Sequence, residues 1–225
     1  MSRRLGVAAH GTVSAAGRRV VEDCALAAAD LLSVPVQVGY VDVCEPALSD
    51  VLTADAIVVP LFLASGYHVR HDVPAAASGV PGASVTPALG AAPAVVEALA
   101  MRLEEAAGGT PRERLDAVVL ASAGSNQAEA RAEVRDLATL LGARLGLPVA
   151  VAHLSGPGPT IAEVAADLRD RGHHRLAVAS HLLAPGVFLD RARRQGEEAG
   201  ALAVSAELGT HPAISTLVAA RYAAA

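Results

Sequence analysis

A chain of 225 residues has room for one large domain or for two of about 110 residues each. Its formal net charge of −5 leaves no clustered cationic surface to track a phosphate backbone. Three Tyr, two Phe and no Trp give few rings for bases to stack on, so nucleic acid is excluded as a partner.

The hydrophobic fraction of 52% rests largely on Ala and Val. Pro, Gly or charged residues break every run well short of the roughly 20 apolar residues of a membrane span. The apolar run after Arg3 and Arg4 is too short for a secretory signal. A soluble, cytoplasmic protein with no membrane partner is expected. Cys24 and Cys44 have no CxxC spacing and are expected as buried, reduced thiols.

In chain order, Leu5 to Ala9 reads as a strand ended by His10-Gly11-Thr12, and Ala15 to Leu32 as a helix. Val34 to Val43 alternates like a strand, and Glu45-Pro46 opens a short helix. Ala56 to Leu63 is apolar on both faces, as a central parallel strand should be. Its helix starts near Gly66 and fades around Ala77. Gly82 to Thr86 is a fourth strand and Ala92 to Ala106 a helix. Gly108-Gly109-Thr110-Pro111 is the clearest linker signal. Strands at 115–121, 148–153, 176–181 and 201–205 then alternate with helices at 127–145, 159–171, 184–198 and 212–224.

The second series copies the first. Ala8 to Gly17 aligns with Ala121 to Ala130, VPVQVGY with LPVAVAH, Pro46 with Pro159, and LFLASGYHVRHD with HLLAPGVFLDRA. Leu89-Gly90 with Pro93 matches Leu208-Gly209 with Pro212. Alternating βα units predict parallel sheets covered by helices, and the repeat predicts two of them. The expected fold is therefore α/β, with two tandem flavodoxin-like lobes, each a four-stranded parallel sheet, and a cleft between them. The expected boundaries are an N-terminal lobe over 1–107, a linker over 108–114 and a C-terminal lobe over 115–225.

The copies differ where chemistry would sit. His10 faces Ala123, Glu45 faces Gly158 and His68 faces Phe188, so the first copy should carry the active groups. In a sheet ordered 2-1-3-4, Glu45, His10 and His68 each follow the carboxyl end of one of three neighbouring strands about 4.8 Å apart. Two imidazoles and a carboxylate on one patch suit Zn, Fe, Co or Ni. Helix N-termini carrying Thr12, Ser14, Ser65, Ser125 and Asn126 are anion receivers, and Arg70 adds a cation.

His10-Gly11-Thr12, Glu45-Pro46-x-Leu48 and PLFLASGYHVRHDVP together resemble the class II tetrapyrrole chelatases, specifically the two-repeat sirohydrochlorin chelatases, over nearly the whole chain. The resemblance implies insertion of Fe²⁺ or Co²⁺ into sirohydrochlorin for siroheme or cobalamin synthesis, with Ni²⁺ or Zn²⁺ accepted in vitro. It implies His10 and His68 as metal ligands, with Glu45 beside them in the pocket. The carboxylate-rich tetrapyrrole would meet Thr12, Ser14, Ser65, Gly66, Tyr67, Arg70, Ser125 and Asn126. No cofactor beyond the metal substrate is implied, and no phosphate-binding P-loop is present. Many members follow the first turn with Arg, where this chain has Val13-Ser14.

His71, one helical turn after His68, is read as a solvated neighbour, and His173 and His174 as exposed. His211 reads as capping a helix before Pro212. His153 and His181 end strands of the second copy and are candidates for the far wall of the cleft. A non-catalytic metal or tetrapyrrole carrier using the same pocket is the alternative function. A flavodoxin-like nucleotide binder lacks the Gly-rich fingerprint after the first strand.

Overall fold

Eight short strands separate ten helices in the computed structural model, which describes residues 3–225. The first copy runs β1 (Leu5–Ala9), α1 (Ala15–Leu32), β2 (Val36–Tyr40), α2 (Leu48–Val51), β3 (Ile57–Pro60), α3 (Tyr67–Arg70), α4 (Asp72–Ser78), β4 (Ser84–Val85) and α5 (Pro93–Ala107). After α6 (Pro111–Arg114), the second runs β5 (Ala117–Ser122), α7 (Ala128–Leu145), β6 (Val149–His153), α8 (Ile161–Asp170), β7 (Leu176–His181), α9 (Val187–Glu198), β8 (Ala203–Val204) and α10 (Pro212–Ala223).

Both sheets are fully parallel, ordered β2-β1-β3-β4 and β6-β5-β7-β8. Central β1 is buried at every position, as its unbroken apolar sequence requires, and pairs Leu5 with Val36 on one side and Ile57 on the other. Helix α1 begins where Ser14 Oγ accepts from Gly17 N, and buries Val21, Cys24, Ala25 and Ala28 on one stripe. Ser33 ends it in the left-handed region. Helix α8 starts on a capping box in which Thr160 and Glu163 satisfy each other's backbone N–H. No helix among the described residues is long and apolar enough to cross a membrane.

Two local expectations change. Strand β2 stops at Tyr40 and does not run on to Val43, because Val43 adopts φ 65 and the chain bends through to Pro46. The single helix expected from Gly66 to Ala77 is two, reset at His71 (φ −123). A continuous helix would press the Pro74 ring against the Arg70 carbonyl one turn back.

The expected domain boundaries also change. One unit contains Met1–Gly90 and Gly209–Ala225, the other Ala91–Leu208. Helix α5 packs on α7, β7 and β8, whereas α10 packs on α1 and β3. Each sheet is thus covered by the last helix of the other copy. Within the second unit Arg102 Nε donates to Glu207 O at 3.0 Å. Within the first, Arg221 Nη2 donates to Leu89 O and the Tyr222 hydroxyl to Arg3 O. The Gly108-Gly109 segment is an internal turn of the second unit, Gly108 capping α5 at φ 66. An apolar helix stripe requires a covering surface without specifying which sheet supplies it.

Candidate metal centre

Strand order brings β2, β1 and β3 side by side, and the segments after them converge at their carboxyl ends. His10 follows β1 directly. The ladder continues one step beyond the strands, with Val41 N donating to Ala9 O and Asp42 N to His10 O, both at 3.0 Å. Asp42 is thereby fixed next to His10. Gly11 makes this approach possible: its φ is 99, and a Cβ there would lie 2.1 Å from the Asp42 carbonyl oxygen.

His68 comes from α3, after β3. Its Nδ1 lies 2.6 Å from Asp72 Oδ2 at the start of α4. A carboxylate accepts from Nδ1–H, and in the neutral imidazole that tautomer leaves the Nε2 lone pair for a metal. The His10 and His68 rings meet edge to face with centroids 4.5 Å apart. Phe62 stacks at 6.5 Å from His68, and Tyr67 meets it edge-on at 5.9 Å.

Each of His10, Asp42 and His68 offers a ligand atom, and the three atoms lie within 4.8 Å of one another. Nitrogen and oxygen ligands bound about 2.1 Å from one ion stand at most about 4.2 Å apart, so modest rotamer motion closes the group around a metal. His10 and Asp42 are exposed and His68 half-buried. The group is therefore open to exchange, unlike a closed structural site.

The expected carboxylate, Glu45, is not in this group. Its Oε2 accepts from Ala47 N at 2.9 Å, in the turn ahead of α2. Asp42 was missed because β2 was expected to extend to Val43, which put Asp42 inside the strand and Glu45 two residues past its end. The two histidines are brought together as expected. His71 stays out, its ring against Tyr67 at 4.5 Å.

Thr12 Oγ1 accepts from Ser14 N and Ser14 Oγ from Gly17 N, so both hydroxyls organise the turn and keep their protons for a ligand. Arg18 Nη1 holds the same turn through Thr12 O at 3.0 Å. Gly66 is the N-cap of α3, Tyr67 is exposed, and Arg70 Nε donates to Ser65 O at 3.0 Å. Ser125 and Asn126 lie in the second unit, where Ser125 Oγ accepts from Gln127 N and Arg131 Nη1 donates to Ser125 O.

Of the cysteines, Cys24 is buried and its thiol is pushed up to about 12 by burial, whereas Cys44, in the turn after Asp42, is only half-buried. His153 and His181 are both buried at strand ends, flanking Ser122 across β6, β5 and β7. Burial lowers both, His181 to about 4. His211 caps α10 by accepting from Ala213 N, as expected.

The sequence profile of the CbiX family matches residues 4–106 and 117–225. Comparison with curated proteins returns no significant match. Among solved structures, SirB from Bacillus subtilis with Fe³⁺ superposes with a TM-score of 0.82 at 23% identity, covering 98% of this chain and 94% of that one. The cobalt complex of the sirohydrochlorin chelatase SirB from Bacillus subtilis subspecies spizizenii gives 0.79 at 19%, covering 99% and 94%. CbiX, the terminal enzyme of siroheme biosynthesis in denitrifying bacteria, gives 0.75 at 22%, covering 100% and 99%.

Proposed function

Since the chain belongs to the CbiX family, we propose that it is a sirohydrochlorin chelatase, inserting Fe²⁺ or Co²⁺ into a carboxylate-rich tetrapyrrole. The observation that carries this reading is the convergence of His10, Asp42 and His68 in the first copy. The corresponding residues of the second copy are Ala123, Ser155 and Phe188.

The metal is cargo, so it must be held and then released. Two imidazoles and one carboxylate are donors that suit Fe²⁺ and Co²⁺, and with Ni²⁺ and Zn²⁺ the same set would also bind in vitro. His68 reaches the ion through Nε2, its ring fixed from behind by Asp72. Insertion exchanges one divalent ion for two pyrrole N–H protons. Asp42 or an imidazole freed from the metal can take each proton in turn. No redox change or nucleotide is needed. The substrate's carboxylates would be received by the Thr12 and Ser14 hydroxyls, the backbone at Ser65–Tyr67 and the Arg70 side chain.

The test is a multiple-turnover assay with sirohydrochlorin and Co²⁺ or Fe²⁺, following the macrocycle's absorbance. Wild-type protein should give many equivalents of metallated product per chain. His10→Ala and His68→Ala should each lose about a hundredfold or more, beyond what an outer-shell partner accounts for. Product stopping at one equivalent per chain would make the protein a carrier, and wild-type turnover in both variants would remove the metal centre from the reaction.

A further inference from the structure

The second copy has replaced groups as well as lost them. Beneath α7, against edge strand β6, a cavity of about 410 Å³ is lined by Arg131, Arg135, Val149, Val151, His153 and Gly158, among others. That is within the size range of small-molecule sites. Arg131 and Arg135 stand one helical turn apart on α7. Arg131 is half-buried and uses Nη1 on Ser125 O, while Arg135 is exposed, and neither has a carboxylate ion-pair partner among the described residues.

Lining the same cavity at the end of β6 is His153, 8% exposed, with Nδ1 buried and without a hydrogen-bond partner. After burial itself, the two guanidinium charges are what lower its affinity for a proton, which places both near the ring. Gly158 is fitted to that ring: its φ is 131, and a Cβ there would lie 2.1 Å from His153 Cδ2.

The first copy shows what this arrangement replaced. Aligned with Arg131, Arg135, His153 and Gly158 are Arg18, Glu22, Tyr40 and Glu45. There one cation and one acid stand on the helix, and burial followed by the Glu22 charge pushes the Tyr40 phenol up to about 12. The second copy exchanges that acid for a second cation and removes a second carboxylate at Gly158. It also sets into the wall an imidazole whose Nδ1 has no partner. Decay of an unused repeat does not require Gly158 and His153 to fit each other.

We propose that this cavity binds a small oxyanion-bearing molecule, its carboxylate or phosphate held by Arg135 and Arg131 beside His153 and its body against Val149 and Val151. Two guanidinium groups with free N–H donors are the chemistry that recognises either oxyanion. The site belongs to the second unit alone and does not rest on the chelatase reading.

Isothermal titration of the metal-free full chain at low ionic strength, with citrate and with inorganic pyrophosphate as probes, tests this. One equivalent of at least one probe should bind, and the preferred probe identifies the oxyanion as carboxylate or phosphate. Arg135→Gln, an exposed substitution, should weaken binding about tenfold or more, the loss expected for a charge-assisted contact. His68→Ala should leave it unchanged. The proposal is overturned if neither probe binds at millimolar concentration, if Arg135→Gln binds like wild type, or if His68→Ala is the variant that abolishes binding.

Discussion

Replacing Asp72 by alanine should loosen the metal without removing a ligand. Asp72 Oδ2 sits 2.6 Å from His68 Nδ1, and the two side chains are 36% and 29% exposed. At that exposure the Coulomb attraction is screened, and what the carboxylate chiefly supplies is ring orientation and a proton fixed on Nδ1. Outer-shell partners of this kind are worth about 10–100-fold in metal affinity or activity. Solvent access puts Asp72 in the lower part of that range, about 10–30-fold, or roughly 1.4–2 kcal/mol. Asp72→Asn keeps an oxygen acceptor for Nδ1–H and should fall between alanine and wild type. Asp72 also opens α4, where a negative charge at the N-terminus is worth about 0.3–1 kcal/mol. A thermal melt therefore accompanies the assay, which is a competition titration of Co²⁺ against a chelating dye. If Asp72→Ala melts within a few degrees of wild type and binds Co²⁺ within twofold of it, Asp72 does not position His68.

The carboxylate assignment is tested by a pair. Asp42→Ala should weaken Co²⁺ binding more than Asp72→Ala does, whereas Glu45→Ala should leave binding within about twofold and lose only its turn hydrogen bond to Ala47 N, worth at most about 1 kcal/mol in a denaturant melt. The reverse ranking would return Glu45 to the metal. Buried His181 gives a pH prediction. Its folded-state affinity for a proton is depressed, to about 4, so the stability it permits is fully present above the unfolded value near 6.5 and is lost as pH falls from there toward 4. A shift of that size corresponds to about 3 kcal/mol between pH 7 and 4. His181→Leu, which places in the second copy the residue that the first has at Leu61, should flatten this acid limb of the stability curve; an unchanged limb would show that His181 does not titrate there.

Much of the fold was legible because the central strands β1, β3 and β5 are largely apolar runs and the long helices each have a stripe to cover. The 2-1-3-4 order followed from treating each half as one doubly wound unit. The destination of α5 was not legible, since its buried Val95, Leu99 and Leu103 would suit either sheet. The crossing points nevertheless left a mark: both fall in the repeated Leu-Gly segments, Leu89-Gly90 and Leu208-Gly209. His10 and His68 could be found by comparing copies because imidazole gave way to Ala and Phe. Asp42 gives way to Ser155 in the same comparison and could have been found the same way. Its place depended on where β2 ended, and the end of a strand is set by backbone bending that apolar alternation does not encode.

That bend also separates the two copies. In each, a glycine after the central strand, Gly11 or Gly124, lets the neighbouring carbonyl approach within about 2 Å of where a Cβ would stand. Three residues along the turn from Tyr40, and at its equivalent in the second copy, the chain passes through the left-handed region. The second copy places Gly156 there at φ 71, with no steric cost. The first places Val43 at φ 65, a β-branched residue for which that conformation costs about 1–2 kcal/mol. The turn is held by its own contacts, since Val43 N donates to Asp42 Oδ1 at 2.7 Å and Cys44 N to Asp42 O at 2.7 Å. The first of these bonds engages the Asp42 carboxylate itself. Backbone strain therefore stands beside Asp42, the carboxylate of the candidate metal centre, and is absent from the equivalent turn, where the Ser155 hydroxyl donates to Ala123 O.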